Sequence, residues 1–382
     1  MIPVLPHPTR EETTGPARTF GVEEELLLVD AETLEPAAAG ADAVRAHAAG
    51  SHDAPASVHQ VTTELQQEQI EVAGPPLTGL AEQVAAIREG RALADAAARA
   101  VGARAVALAA PVTAGAPHLV PAPRFRWLRE RFGLVADEQL TCGLHVHVGV
   151  GSREEGVAVL DRIRVWLPVL LALSGNSPFW FGRETGFSSF RYQAWVRWPT
   201  AGPNEVFGSV EEYDRHREDL LRSGVPLDLG MLYFDARLSA RYPTVEVRIT
   251  DVCLDAEHAG VLAALSRALV ETAARQWRTG LPAPSASAAQ LRAWSWQASR
   301  YGVEGPLISP ATAAPAPAQD VVAELLAVVH PVLAEWGEAE QVESVLTGVL
   351  RDGSGTRRQR TSFAPRQDPL DVVRTALEET HR

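Results

Sequence analysis

Four short stretches of this chain carry acids and imidazoles at alternate positions, a spacing that puts them on one face of an extended strand. In Gly21–Leu28, Glu23 and Glu25 point one way while Val22 and Leu26 point the other. In Cys142–Val150, His145 and His147 share a face opposite Leu144, Val146 and Val148. In Thr244–Thr250, Glu246 and Arg248 oppose Val245, Val247 and Ile249. The stretch Glu64–Ala73 ends in the same pattern, with Glu71 between Ile70 and Val72 and Glu64 seven residues earlier. Any one of these could be an ordinary wet strand face. Wet faces, however, mix Thr, Ser, Lys, Arg and Glu, whereas these hold almost nothing but carboxylate and imidazole. Carboxylates gathered on one sheet face repel one another unless cations sit among them. Hard oxygen ligands suit Mg2+ or Mn2+ better than zinc. The His145/His147 pair nevertheless keeps a zinc-dependent hydrolase open as a second reading.

Apolar-in, charged-out alternation suits a mainly antiparallel sheet backed by helices on one face, an α+β arrangement. Helical spacing marks Leu80–Val101, Ala256–Arg278 and Glu154–Leu173, the last with Pro168 as a kink. Further helices are expected around Leu291–Tyr301, over Asp320–Leu350 and over Asp368–Thr380. Stretches rich in Ala, Pro and Ser, 279–289 and 309–319, read as surface loops. Residues 1–17 read as a flexible leader, with no apolar stretch that would make a signal peptide. The acid-bearing strands are scattered so widely that a domain cut would split the putative site, so residues 18–382 read as a single catalytic domain.

The formal charge of −13 disfavours a nucleic-acid partner. No apolar run reaches the ~18 residues of a membrane span, and two cysteines cannot make a disulfide framework; a cytoplasmic setting follows. All 35 basic residues are arginine. That excludes a Walker-type phosphate loop, a pyridoxal Schiff base and a protein kinase, each of which needs a lysine. A nucleotide phosphate here would have to be neutralised by arginine and metal.

The motifs GVEEELLLVD, TTELQQEQIEV, CGLHVHVGV, Ser177–Pro203 and ARYPTVEVRITDVCLD, in that order, resemble the glutamate–cysteine ligase type 2, or carboxylate–amine ligase, family. The resemblance implies a glutamine synthetase-like fold, a curved antiparallel sheet whose concave face holds metals. It implies Glu23, Glu25, Glu64, Glu71, His145 and Glu246 as ligands of Mg2+ or Mn2+, with His145 also at the nucleotide. It further implies that Arg248 contacts the transferred phosphate and, with Glu246, makes the catalytic pair. Arg183 and Arg191 could grip a substrate α-carboxylate, or be ordinary structural arginines. Arg357–Arg360 reads as a solvated basic loop. The activity implied is ATP-dependent amide formation through an acyl phosphate, on small-molecule substrates such as glutamate and cysteine or another amine, by an enzyme that could be a homodimer. A non-catalytic relative that only binds nucleotide or amino acid is the other alternative.

Overall fold

The computed structural model describes residues 17–50 and 58–382. The expected leader falls outside the described residues except for Ala17. The strands are β1 Phe20–Asp30, β2 Gln60–Thr63, β3 Gln69–Ala73, β4 Ala103–Val106, β5 Leu144–Gly149, β6 Phe179–Trp180, β7 Arg183–Glu184, β8 Ala236–Leu238, β9 Thr244–Val247, β10 Leu307–Ile308 and β11 Pro315–Ala316, the last within the 309–319 stretch expected as loop. Seven of them form one sheet in the order β2-β3-β1-β5-β9-β8, with β4 also paired to β1. Every pairing in it is antiparallel. β6 and β7 make a separate hairpin.

β1 is the spine. Its first half alternates, and its second half, Leu26–Val29, is buried on both faces, which explains an apolar run without alternation there. Phe20, Val22, Val146, Val148 and Val245 form one layer with Leu80, Val84 and Ile87 of the helix Leu80–Arg99 and Leu262 and Leu265 of the helix Ala256–Arg278. Fully burying a side chain such as Val22 or Val146 stabilises the fold by about 1.5–3 kcal/mol. Alternation also drives Glu24 into this layer. It is neutralised by Arg91, whose Nε and Nη2 donate to the two Glu24 oxygens at 2.8 and 2.7 Å. The same guanidinium donates to the carbonyls of Leu254 and Cys253 at 2.7 and 2.6 Å.

The helical segments differ from their sequence pattern at particular residues. Glu154–Leu173 is two helices, Arg153–Ile163 and Leu167–Ser174, because a helix interior would leave Pro168 clashing with the preceding turn, while a first turn accommodates it. Asp320–Leu350 divides into Ala318–Glu335 and Ala339–Asp352, with Gly337 between them at φ 72°. Arg357–Arg360 is not a solvated loop. It lies in the helix Gly355–Phe363, with Arg357 paired to Glu304, Arg358 to Glu379 and Arg360 to Glu184. No described helix is long and apolar enough to cross a membrane.

Asp235, just before β8, gives a pH-dependent test of this packing. It is 2 % exposed; one oxygen accepts from the Tyr192 hydroxyl at 3.2 Å and the other has no partner among the described residues. Burial pushes its carboxyl up from 3.8 to about 7. The folded state therefore holds this proton longer than the unfolded chain does. The associated stability is complete below about pH 4 and is lost as pH rises through about 7. Asp235→Asn should remove a part of the wild-type decline in thermal midpoint between pH 5 and 8, worth on the order of a few kcal/mol. Parallel slopes for the two proteins in calorimetry would rule this out.

Candidate active site

The strand register carries the acidic and imidazole residues to one face. Glu25 lies directly opposite Glu71, Glu23 opposite His145, and His147 opposite Glu246. Directly opposed residues share a face, so the alternation read in separate stretches becomes one continuous row. His145 Nδ1 stands 3.8 Å from Glu23 Oε2 and its Nε2 4.0 Å from Glu25 Oε1. His147 Nε2 stands 3.4 Å from Glu23 Oε1 and 4.0 Å from Glu246 Oε1. The Gly143 N–H donates to Glu25 Oε2 at 2.6 Å, fixing that carboxylate. Glu64 is not on a strand. It follows β2 in the connection to β3, and its carboxylate still reaches those of Glu71 and Glu25.

Electrostatics divide the row. Burial together with the negative charges of Glu71 and Glu25 raises Glu64 well above the usual carboxylate range. Burial, with Glu23 and Glu25 nearby, raises Glu71 to about 7. At the other end burial acts against ionisation of Glu246, but Arg248, Arg237 and His147 hold its carboxyl far below the usual range. Glu23 is likewise held low, against burial, by the two imidazoles. Burial and the Arg248 charge lower His145, whereas Glu23 and Glu246 raise His147 despite its burial.

Ligand atoms close enough to share one ion fall into three overlapping groups, Glu23/Glu71/His145, Glu23/His147/Glu246 and Glu25/Glu64/Glu71. Divalent cations fit these groups. Buried His145 Nε2 and His147 Nε2 have no hydrogen bond of proper geometry among the described residues, and the Glu25, Glu64 and Glu71 carboxylates at the other end repel one another. Among the described residues no group contains both histidines or a cysteine, so the pair expected of a zinc hydrolase does not form. His147, which the sequence reading used only in that alternative, joins Glu23 and Glu246 on the same terms as His145 joins Glu23 and Glu71.

Arg248 follows β9, donates through Nη1 to Glu246 and lies over the Trp195 ring, 5.4 Å from its centroid. Arg237 on β8, directly opposite Glu246, escaped the sequence reading. Its only signal is the position between Ala236 and Leu238 in a strand too short to show alternation. The two substrate arginines fare differently. Arg191 is 1 % exposed; its Nη1 and Nη2 donate to the carbonyls of Ile249 and Arg248 at 3.2 and 3.3 Å, and its Nε has no partner among the described residues. It lies so close beneath Gly143 that any Cβ there would collide with its guanidinium. Arg183 is exposed on β7 and shares none of the contacts that join the row.

An antiparallel sheet that lines one face with carboxylates and imidazoles and ends it in arginines agrees with the carboxylate–amine ligase class that the sequence motifs resemble. Comparison with known proteins narrows this class. The sequence profile of glutamate–cysteine ligase family 2 matches residues 19–376. A Paenarthrobacter aurescens (strain TC1) protein provisionally named glutamate–cysteine ligase 2-1 is 50 % identical over 368 residues, 95 % of each chain. A Streptomyces coelicolor relative provisionally named glutamate–cysteine ligase 2 is 47 % identical over 363 residues, 95 % of this chain and 99 % of its own. The chain belongs to glutamate–cysteine ligase family 2. Its fold is that of the Francisella tularensis glutamate–cysteine ligase (gshA) solved in complex with AMP, with a TM-score of 0.67 at 13 % identity, covering 97 % of this chain and 90 % of that one. A bifunctional glutathione synthetase from Pasteurella multocida shares it at a TM-score of 0.64 and 18 % identity, over 95 % of this chain and 52 % of that one.

Proposed function

We propose that this enzyme uses ATP and Mg2+ to join the side-chain carboxylate of glutamate to the amine of cysteine or another small amine. The observation that carries the reading is the cross-strand row from Glu71 through Glu25, Glu23, His145 and His147 to Glu246, closed by Arg248. A carboxylate oxygen of the substrate attacks the terminal phosphorus of ATP, the bond to ADP breaks, and an acyl phosphate forms. The amine then attacks the acyl carbon, phosphate leaves, and the amine gives up a proton. The first step brings two anions together and the second expels phosphate, so the site must supply positive charge and alignment rather than a nucleophile. Bound Mg2+ would supply charge neutralisation on the phosphates. Glu23, Glu25, Glu64, Glu71, His145, His147 and Glu246 would hold it. Arg248 donates toward the phosphate that is transferred. Cys142 and Cys253 take no part: both are buried, and burial raises each thiol well above its usual range.

The test measures ADP release from ATP with glutamate and a panel of amino acids and amines, in Mg2+ and after chelation. Release requiring Mg2+, glutamate and an amine together is expected, with the amide identified by mass spectrometry. Amine-independent release at the same rate, or no nucleotide turnover with any pair, would sink the reading.

A further inference from the structure

Glu246, 2 % exposed, meets two guanidiniums. Arg237 Nε donates to Oε2 at 2.8 Å and Nη2 to Oε1 at 3.2 Å, while Arg248 Nη1 donates to the same Oε1. Arg237 is tied down at its other end as well, where Nη1 donates to the Leu232 carbonyl at 2.9 Å and the Gly230 carbonyl at 3.4 Å. Its donors are thus largely used within the protein. Those of Arg248 are not: it gives Glu246 a single nitrogen, and its Nε has no partner among the described residues. Left alone with Glu246, Arg248 would close the two-bond pair that guanidinium and carboxylate prefer, and its charge would be cancelled. Arg237 occupies that carboxylate in its place. With two cations on one carboxylate, one positive charge remains at this end of the row.

We propose that Arg237 is a positioning residue that engages both oxygens of Glu246 and so leaves the charge and remaining donors of Arg248 to the terminal phosphate of a bound nucleoside triphosphate. The inference rests on the nucleotide use proposed above. It goes further by giving a role to a residue that touches no substrate itself.

The experiment titrates the full-length protein with ATP and with ADP in Mg2+, without amino-acid substrates, by calorimetry. The wild type is expected to bind ATP more tightly than ADP. Arg237→Gln should weaken ATP by about 10- to 100-fold, the value of one charge-assisted contact, and change ADP by less than about twofold. ADP affinity serves as the control for folding, since a general loss of structure would weaken both nucleotides. Arg237→Lys, which keeps a cation on Glu246, should recover part of the ATP preference. An unchanged ATP-to-ADP ratio in Arg237→Gln, equal loss of both nucleotides, or a wild type indifferent to the terminal phosphate overturns the positioning role. A wild type that binds neither nucleotide defeats the proposed function itself, and this inference with it.

Discussion

Glu23→Gln is expected to lower ligase turnover by about 10²- to 10³-fold, the usual cost of removing one organising charge from a transition state. Glu23 belongs to two of the three ligand groups and stands between the two imidazoles. No other acid in the row serves both His145 and His147 in this way. Gln keeps the shape and an oxygen acceptor but removes the anionic charge, so each cation group built on Glu23 loses an anionic ligand. Glu23 lies among Glu25 and Glu71 but is held ionised, against burial, by His145 and His147, so the response to Mg2+, and not the metal-free midpoint, reports its role as a ligand. The wild type should therefore gain in thermal midpoint on adding Mg2+ and the variant should gain much less, because a cation that binds the folded state raises its stability by mass action. Steady-state ADP release and paired melting curves with and without Mg2+ measure both. A variant with wild-type turnover and a wild-type Mg2+ response would remove Glu23 from the metal site.

How much of this was readable beforehand depended on whether a residue's role was set by local spacing or by chain segments far away. Glu23, Glu25, Glu71, His145 and Glu246 were legible because a period of two fixes the face of a strand whatever its neighbours. Glu64 was legible as an acid of the site but not as a strand residue, since a turn between β2 and β3 delivers it to the same place. His147 was undervalued because its worth comes from Glu246, on a strand almost a hundred positions later. Arg237 was missed for the same reason, being defined by its register opposite Glu246. Arg191 was open in the sequence between a substrate grip and a structural arginine, and the packed structure adds that its Nη1 and Nη2 donate to the carbonyls of Ile249 and Arg248. The Gly355–Phe363 helix hid behind a basic run whose partners, Glu184, Glu304 and Glu379, are all distant in sequence.

Glu24 was invisible in the same sense, since the sequence offers an acid at an apolar position and no hint of what answers it. Arg91→Met should therefore destabilise the protein by about 3–5 kcal/mol, the cost of leaving one member of a buried ion pair without the other. Glu24 and Arg91 are 2 % and 1 % exposed, so water cannot replace the lost fork. The variant also strips a donor from each of the Cys253 and Leu254 carbonyls, which lie just before the Ala256–Arg278 helix. Against a typical total of about 5–15 kcal/mol this is a large share of the stability. A double variant, Glu24→Leu with Arg91→Met, should regain most of the loss, because an apolar pair of similar volume carries no stranded charge. Urea denaturation of the two variants beside the wild type makes the comparison. The signature differs from that expected for Glu23→Gln: Glu24 points away from the row, so Arg91→Met should cost folded protein while each folded molecule keeps its turnover. A single variant within about 1 kcal/mol of wild type, or a double variant no better than the single, would show that the pair is not what anchors β1 beneath its two site acids.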